Sequence, residues 1–194
     1  NNYTKLMIVA ITGGIGSGKS VVSQVLRLLG YPVYDCDANA KRLMNESVAL
    51  RESLVKRFGT DLYRQGAFNA QYLSSIVFAD QSALADLNAI VHPAVKVDIQ
   101  DWWREKGGLV FVETAIPYSS GVHQIVDKIW KVTAPTEVRV ERVMARNGMT
   151  RAQVEQRIAS QASEEVQSDK DVVIINDGTT AVIPQIVENL KLLK

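Results

Sequence analysis

One glycine-rich segment near the start of the chain constrains the fold more than any other feature. Gly13 and, after four intervening residues, Gly18-Lys19-Ser20 match the pattern G-x-x-x-x-G-K-[ST]. A continuous apolar run over residues 6–12 precedes this segment, and residues 19–29 place apolar side chains at helical spacing up to Gly30. A buried strand, a tight glycine turn and a helix in this order predict a loop whose main-chain N–H groups surround an anion.

The residue types of this segment suit the polyphosphate of a nucleoside triphosphate. Glycines let the backbone curl so that successive N–H groups point inward, and the helix that begins at Lys19 adds unpaired N–H groups. The Lys19 ammonium can reach the β and γ phosphates, and the Ser20 hydroxyl is an oxygen ligand suited to Mg²⁺. The segment therefore predicts binding of a nucleotide and Mg²⁺, but it does not specify the reaction.

The rest of the chain alternates helices with short apolar strands. Residues 31–35 form the second predicted strand, so the chain opens with a strand–helix–strand unit whose two strands are parallel. Further strands are predicted over 109–112, 128–134 and 172–175, and helices over 38–46, 48–58, 71–78, 82–106, 137–147, 150–161 and 180–193. The stretch 82–106 is either one long helix or two helices joined near Pro93. This order predicts an α/β fold of three layers with a five-stranded parallel sheet.

Two helical excursions interrupt this alternation. The block between the second and third strands is too long for a simple crossover, so we expect residues 38–106 to form a separate helical cap. The helical hairpin over residues 136–161 is short enough to act as a lid. The nucleotide-binding core is then expected to comprise residues 1–37, 107–135 and 162–194.

Composition argues against several classes of function. Lysine and arginine total 22 against 21 acidic residues, so the chain lacks the overall charge of a nucleic-acid-binding protein. One cysteine and two histidines exclude a disulfide framework and argue against a zinc site. No apolar run approaches the ~20 residues of a membrane span. We expect a cytoplasmic protein with a small-molecule substrate, either a monomer or a weak homo-oligomer, without nucleic-acid or membrane partners.

The loop alone is compatible with a hydrolase or with a kinase. The strings Asp-x-x-Gly and Asn-Lys-x-Asp, expected in a GTP-binding switch, are absent from the sequence. A motor ATPase would usually end its third strand in Asp, whereas residues 109–112 are followed by Glu113. Chain length, the cap and the hairpin favour a compact small-molecule kinase, and a regulatory nucleotide-binding protein stays open.

Two carboxylates, Asp35 and Asp37, lie at the carboxyl end of the second predicted strand. Ligand sites of open parallel sheets lie at the carboxyl ends of the strands, so this pair is expected near the terminal phosphate. One carboxylate can hold Mg²⁺, while the other accepts the proton of an attacking hydroxyl. The alternative is that Asp37 only caps the helix predicted from residue 38.

Three arginines in the hairpin, Arg139, Arg142 and Arg146, share one helix face. They either close over the phosphoryl group or form a solvated face paired with Glu137 and Glu141. Two further polar residues of the hairpin, Arg157 and Gln161, either secure it to the core or contact phosphate. For His92, before Pro93, the alternatives are a bend that directs the imidazole at a carbonyl and a contact with the acceptor.

These motifs, in this order along nearly the whole chain, resemble the dephospho-CoA kinase family. The matching residues are segment 11–20, Asp35-Cys36-Asp37, His92-Pro93, Arg142, Arg146, Arg157-Ile158, Gln161 and Asn176. The resemblance implies transfer of the γ-phosphate of ATP to the ribose 3′-hydroxyl of dephospho-CoA, the last step of coenzyme A synthesis. It also implies a P-loop nucleotide-kinase core, a helical CoA-binding domain and a lid. Another small-molecule or nucleoside/nucleotide kinase is the alternative.

The resemblance also implies roles for individual residues. Asp37 takes the position of the catalytic base, with Lys19, Arg142 and Arg146 completing the catalytic set. We expect Mg²⁺ at Ser20 and Asp35. Nucleotide contacts are expected from Gly13, Gly14, Ile15, Gly16, Ser17, Gly18, Lys19, Ser20, Val21 and Asn176, and acceptor contacts from Lys41, Arg42 and His92. One departure lies after the third strand, where Ser119 occupies a position at which the family is expected to have Glu.

Overall fold

The apolar run at the start of the chain forms the central strand of a parallel sheet. A computed structural model describes residues 6–193. The strands in chain order are β1 Met7–Thr12, β2 Val33–Asp35, β3 Tyr63–Arg64, β4 Ala67–Phe68, β5 Leu109–Glu113, β6 Lys128–Thr133 and β7 Asp171–Ile175. The large sheet has the order β2-β5-β1-β6-β7, and its neighbours pair in parallel. The predicted α/β class with five parallel strands is confirmed.

Eight helices of the described chain connect and flank these strands. They are α1 Lys19–Leu28, α2 Cys36–Glu46, α3 Val48–Phe58, α4 Ala70–Val77, α5 Gln81–Lys106, α6 Thr136–Asn147, α7 Arg151–Ser160 and α8 Val182–Leu192. Within residues 6–193, none of them combines the length and the apolarity needed to cross a membrane.

The chain divides into two compact units, which we call the sheet unit and the helical unit. The sheet unit contains described residues 6–35 and 102–193, and the helical unit is Cys36–Asp101. By this division the hairpin α6–α7 belongs to the sheet unit. The domain limits expected from the sequence, including the assignment of 136–161 as a lid, stay predictions.

A single apolar core joins one face of the sheet to α1 and α8. All six residues of β1 are buried, and a parallel strand covered on both faces needs such a continuous apolar run. The members of this core are Met7, Val9, Ile11, Val22, Leu26, Phe111, Trp130, Val132, Ile174, Ile186, Leu190 and Leu193. This packing fixes the start of α1, and with it the loop that follows β1.

The helical unit contains a small hairpin that hydrophobic periodicity did not predict. Strands β3 and β4 are two residues each and pair antiparallel around Gln65 and Gly66, both with positive φ. The Tyr63 and Phe68 rings pack edge to face, and the Arg51 guanidinium lies 4.2 Å from the Tyr63 ring centroid. Two-residue strands are too short to show an alternating pattern, so the sequence gives no signal for them.

We expect Leu26→Ala to lower the free energy of unfolding by about 2–5 kcal/mol, because it empties a buried site between α1 and the sheet. Leu28→Ala is the matched control on the same helix, since its side chain is 82% exposed whereas Leu26 is 0% exposed. The control should change stability by less than about 0.5 kcal/mol. Urea denaturation followed by circular dichroism measures both, and equal losses would contradict this packing.

Candidate active site

The loop between β1 and α1 has a backbone that requires glycine at Gly16 and Gly18. Their φ angles are 78° and 94°, in the left-handed region that residues with a Cβ rarely adopt. A Cβ at Gly16 would also lie 2.5 Å from the Arg139 carbonyl oxygen, and one at Gly18 would overlap Asn176 Nδ2. Conformation and close contact therefore both exclude larger residues at these positions.

The inner side of this loop presents hydrogen-bond donors. Across the described residues, the main-chain N–H groups of Gly16, Gly18 and Ser20 bond no protein acceptor. The Lys19 ammonium donates to the Gly13 carbonyl oxygen at 2.8 Å, which holds a positive charge at the loop. Because α1 begins at Lys19, its N-terminal dipole adds to this field. The arrangement is suited to a polyphosphate.

The outer side of the loop is bonded by side chains of the hairpin α6–α7 region. Gln161, directly after α7, accepts a hydrogen bond from the Ile15 N–H at 2.8 Å. Arg139, near the start of α6, donates from Nε to the Ile15 carbonyl oxygen at 2.9 Å. The prediction that Gln161 secures the hairpin to the core is therefore confirmed, whereas Arg157 is exposed.

Asn176, predicted for the nucleotide site, and Arg142, predicted for the catalytic set, also bond the loop backbone. Asn176, directly after β7, donates from Nδ2 to the Ser17 carbonyl oxygen at 2.9 Å. Arg142 donates from Nη1 to the Asn176 carbonyl oxygen at 2.9 Å and to that of Gly16 at 3.4 Å. A turn follows Asn176. In this turn the Asp177 carboxylate accepts hydrogen bonds from the N–H groups of Thr180 and Thr179, which hold the pKa of its carboxyl well below its usual range.

Arg139 is a buried cation. Its residue is only 8% exposed, and burial lowers the pKa of its guanidinium, while Glu165 opposes this shift from 3.9 Å. The solvated-face alternative is wrong for Arg139, which is buried, and Glu137 pairs with Arg151 at 2.9 Å instead of with the arginine row. Arg146 is exposed and donates to the Asn147 side chain at 2.9 Å.

The two carboxylates after the second strand lie on different elements. Asp35 is the last residue of β2 and stands in register with Glu113, the last residue of β5. Glu113 is in turn in register with Ile11 of β1. Asp35 and Glu113 therefore lie at the edge of the sheet from which the loop starts. The cap alternative for Asp37 is wrong, because α2 begins at Cys36 and places Asp37 inside its first turn, where it is exposed.

The residues expected to contact the acceptor lie on helices of the helical unit. Arg42 is held by Asp98 at 2.5 Å, by Asn39 at 2.9 Å and by Glu46 at 3.5 Å. Lys41 is exposed on the same helix, and His92 is half-buried on α5, which continues through Pro93. Their contact with an acceptor stays a prediction.

The departure at Ser119 is accompanied by a carboxylate from another part of the chain. Glu164, which is buried, accepts hydrogen bonds from the N–H groups of Tyr118 and Ser119 at 2.9 and 3.1 Å, and from the Ser119 hydroxyl. Burial, Asp171 and Glu164 together raise the pKa of Tyr118. The sequence carries no signal for this contact, since the partners lie 45 residues apart.

A cavity of about 310 Å³ adjoins the loop in the sheet unit. Gly13, Gly14 and Arg139 line it, together with Lys131 and Glu164. Its charges are mixed and largely paired, since Lys131 bonds Asp171 at 3.1 Å.

The described residues contain no cluster of three or more His, Cys, Asp or Glu side chains that could hold a metal by themselves. The exposed Ser20 hydroxyl and the half-buried Asp35 carboxylate offer the hard oxygen ligands that Mg²⁺ prefers. Such an ion typically takes its remaining ligands from phosphates and water, so this donor set fits it.

Comparison with known proteins agrees with this geometry. A family model described as dephospho-CoA kinase matches residues 7–181. The chain is 38% identical to the dephospho-CoA kinase of Porphyromonas gingivalis, covering 97% of this chain and 95% of the relative. It is 36% identical to that of Geobacter sulfurreducens, covering 94% of this chain and 96% of the relative.

Solved structures show the same fold. A Thermus thermophilus crystal structure, 33% identical, superposes with a TM-score of 0.76 over 96% of this chain and 95% of that chain. Shikimate kinase from Acinetobacter baumannii, 13% identical, shares the fold with a TM-score of 0.57 over 98% and 94% of the two chains. The family model and the relatives cover nearly the whole chain, including the phosphate loop. The chain belongs to the dephospho-CoA kinase family.

Proposed function

We propose that this protein transfers the γ-phosphate of ATP to the ribose 3′-hydroxyl of dephospho-CoA. The observation that carries the proposal is the loop at residues 13–20, in a chain that matches the family over residues 7–181. Among the described residues, three N–H groups of this loop bond no protein acceptor, and its lysine lies at the loop backbone. The loop supports binding of ATP, and membership of the family supports dephospho-CoA as the acceptor. Location in the cytoplasm and a monomeric or weakly oligomeric state stay predictions.

The loop backbone binds the phosphates of ATP and the start of α1 supports them. The N–H groups of Gly16, Gly18 and Ser20 are the donors, and Lys19 leaves the Gly13 carbonyl to bond the β and γ phosphates. Asn176 and Arg142 hold the far side of the loop and stand where the adenosine is expected. Ser20 and Asp35 would hold Mg²⁺, which when bound would neutralise charge on the phosphate oxygens.

Asp37 is the proposed base for the acceptor hydroxyl. Its exposed carboxylate lies in the first turn of α2, one residue after Cys36 and two after the metal-binding Asp35. It takes the proton of the 3′-hydroxyl as that oxygen bonds to the γ-phosphorus and the bond to the β-phosphate oxygen breaks, releasing ADP. Lys41, Arg42 and His92 are proposed to bind the acceptor in the helical unit.

Arg146 is the proposed mobile cation of the hairpin. Arg142 is hydrogen-bonded to the backbone of the loop and of Asn176. Arg146 is exposed, and its side chain hydrogen-bonds the neighbouring Asn147. An exposed arginine on a helix can turn toward a phosphoryl group that develops charge during transfer. Arg142 is proposed to assist from its fixed place beside the loop.

An acceptor panel tests the proposed substrate. We expect ADP release with ATP and Mg²⁺ to depend strongly on dephospho-CoA, and mass spectrometry with ³¹P NMR to place the new phosphate on the ribose 3′-oxygen. AMP and shikimate serve as alternative acceptors. Turnover only with AMP or shikimate would assign another kinase activity, and an equal slow rate with every acceptor would indicate a regulatory nucleotide-binding protein.

We expect Asp37→Asn to lower kcat by about 10²–10⁴-fold with the affinity for ATP nearly unchanged, because it removes a general base that does not bind the nucleotide. Asp61→Asn is the matched control, an exposed acid of the same unit in the short 3₁₀ helix Thr60–Leu62. Steady-state kinetics and equilibrium binding of ADP measure the two quantities. Full turnover in Asp37→Asn would remove the residue from the reaction.

We expect Arg146→Ala to lower kcat by about 10²-fold, as for loss of one group that stabilises the transition state. Its thermal unfolding midpoint should stay within about 1 °C of the wild type, since an exposed side chain contributes little to stability. Arg27→Ala, an exposed arginine in the last turn of α1, is the control. A rate equal to that of the control would assign the charge stabilisation to other residues.

A further inference from the structure

Both polar groups of one loop residue are held by the two ends of the hairpin α6–α7. Arg139 Nε donates to the Ile15 carbonyl oxygen at 2.9 Å from 124 residues away along the chain. Gln161 Oε1 accepts from the Ile15 N–H at 2.8 Å from 146 residues away. Ile15 lies between Gly14 and Gly16, where the backbone has the most conformational freedom. We call this pair of hydrogen bonds the Ile15 clamp.

The burial of the Arg139 side chain is not explained by a gain in the stability of the protein. A buried guanidinium loses its hydration, and the nearest carboxylate, on the exposed Glu165, is 3.9 Å away. Within the described chain Nη2 has no hydrogen-bond partner, and it fills the space that a side chain at position 14 would take. The good hydrogen bond of this side chain is the one from Nε to the loop.

The inner side of the loop depends on how its outer side is held. The Ile15 carbonyl shares a peptide group with the Gly16 N–H, so a carbonyl held outward by Arg139 turns that N–H inward. The Ile15 N–H belongs to the preceding peptide group, which the bond to Gln161 holds in one orientation. Without partners for those groups, the glycines on either side would allow many other orientations, and binding of phosphate would have to select among them. Because the clamp fixes the backbone orientation in advance, nucleotide binding does not have to spend free energy on selecting it.

We propose that Arg139 and Gln161 are positioning residues that set the affinity of the loop for nucleotide phosphates. Neither side chain is assigned a contact with the reacting atoms. They act through the two peptide groups on either side of the Ile15 Cα, and they link the phosphate loop to the hairpin that follows β6. The inference rests on the proposed use of the loop as a nucleotide site.

A matched pair of substitutions at Arg139 isolates the clamp. In glutamine the side-chain amide nitrogen is as many bonds from Cα as Nε is in arginine, so Arg139→Gln retains a donor for the Ile15 carbonyl. In methionine a methyl group takes that place, so Arg139→Met retains the chain length and loses the donor. We expect Arg139→Met to weaken ADP binding about tenfold and Arg139→Gln to stay within about twofold of the wild type.

Isothermal titration with ADP in the absence of acceptor measures the affinity, and thermal unfolding measures stability in the same preparations. We expect the KM for ATP to rise with the dissociation constant of ADP in Arg139→Met, while kcat at saturating ATP and the KM for dephospho-CoA change less than twofold. Equal losses in both variants, or wild-type ADP binding by Arg139→Met, would overturn the proposal. So would a loss of affinity that simply follows a loss of thermal stability.

Gln161→Met is a second variant, used if Arg139→Met does not fold. It removes the acceptor for the Ile15 N–H at the other side of the clamp, and the same weakening of ADP binding is expected. Wild-type affinity in Gln161→Met would contradict the clamp. Because ADP binding is measured without acceptor, failure of dephospho-CoA in the acceptor panel would overturn the proposed function and leave this result standing.

Discussion

The structure depends on a requirement of main-chain hydrogen bonding in the phosphate loop. A loop that directs several N–H groups inward toward an anion must direct carbonyl groups outward, and these need partners of their own. Here the outward carbonyl groups of Ile15, Gly16 and Ser17 accept hydrogen bonds from Arg139, Arg142 and Asn176. The anion site therefore requires a second set of residues that never have to contact the anion.

The strand order explains where this second set comes from. Strand β6 lies beside β1 and β7 lies beside β6, so the segments that leave these two strands begin next to the loop. Helix α6 follows β6, and Asn176 follows β7 directly. The same proximity makes Gly16 and Gly18 necessary, because Arg139 and Asn176 occupy the space of a side chain there. Sheet topology and glycine positions are two aspects of one packing arrangement.

Local patterns in the sequence were sufficient for the parallel sheet and for the loop. Both are encoded by neighbouring residues: apolar runs for buried strands, and glycines with Lys19 before an amphipathic helix. The hydrogen bonds of Gln161 and Glu164 join residues 45 to 146 positions apart, and no periodicity encodes them. The burial of Arg139 was missed for the same reason, since helical spacing shows which residues share a face but not what that face contacts.

Helix α2 begins directly after β2, so two carboxylates that are two residues apart lie in different units. Asp35 is the last residue of its strand and is fixed to the sheet by its pairing with Glu113. Cys36 is the first residue of α2 and is buried, so Asp37 follows the helix rather than the sheet. A metal ligand must keep a constant distance from the phosphate loop, and the sheet would provide that constancy for Asp35 in its proposed role. A base must instead stay with the hydroxyl it deprotonates, and Asp37 belongs to the unit proposed to bind that acceptor.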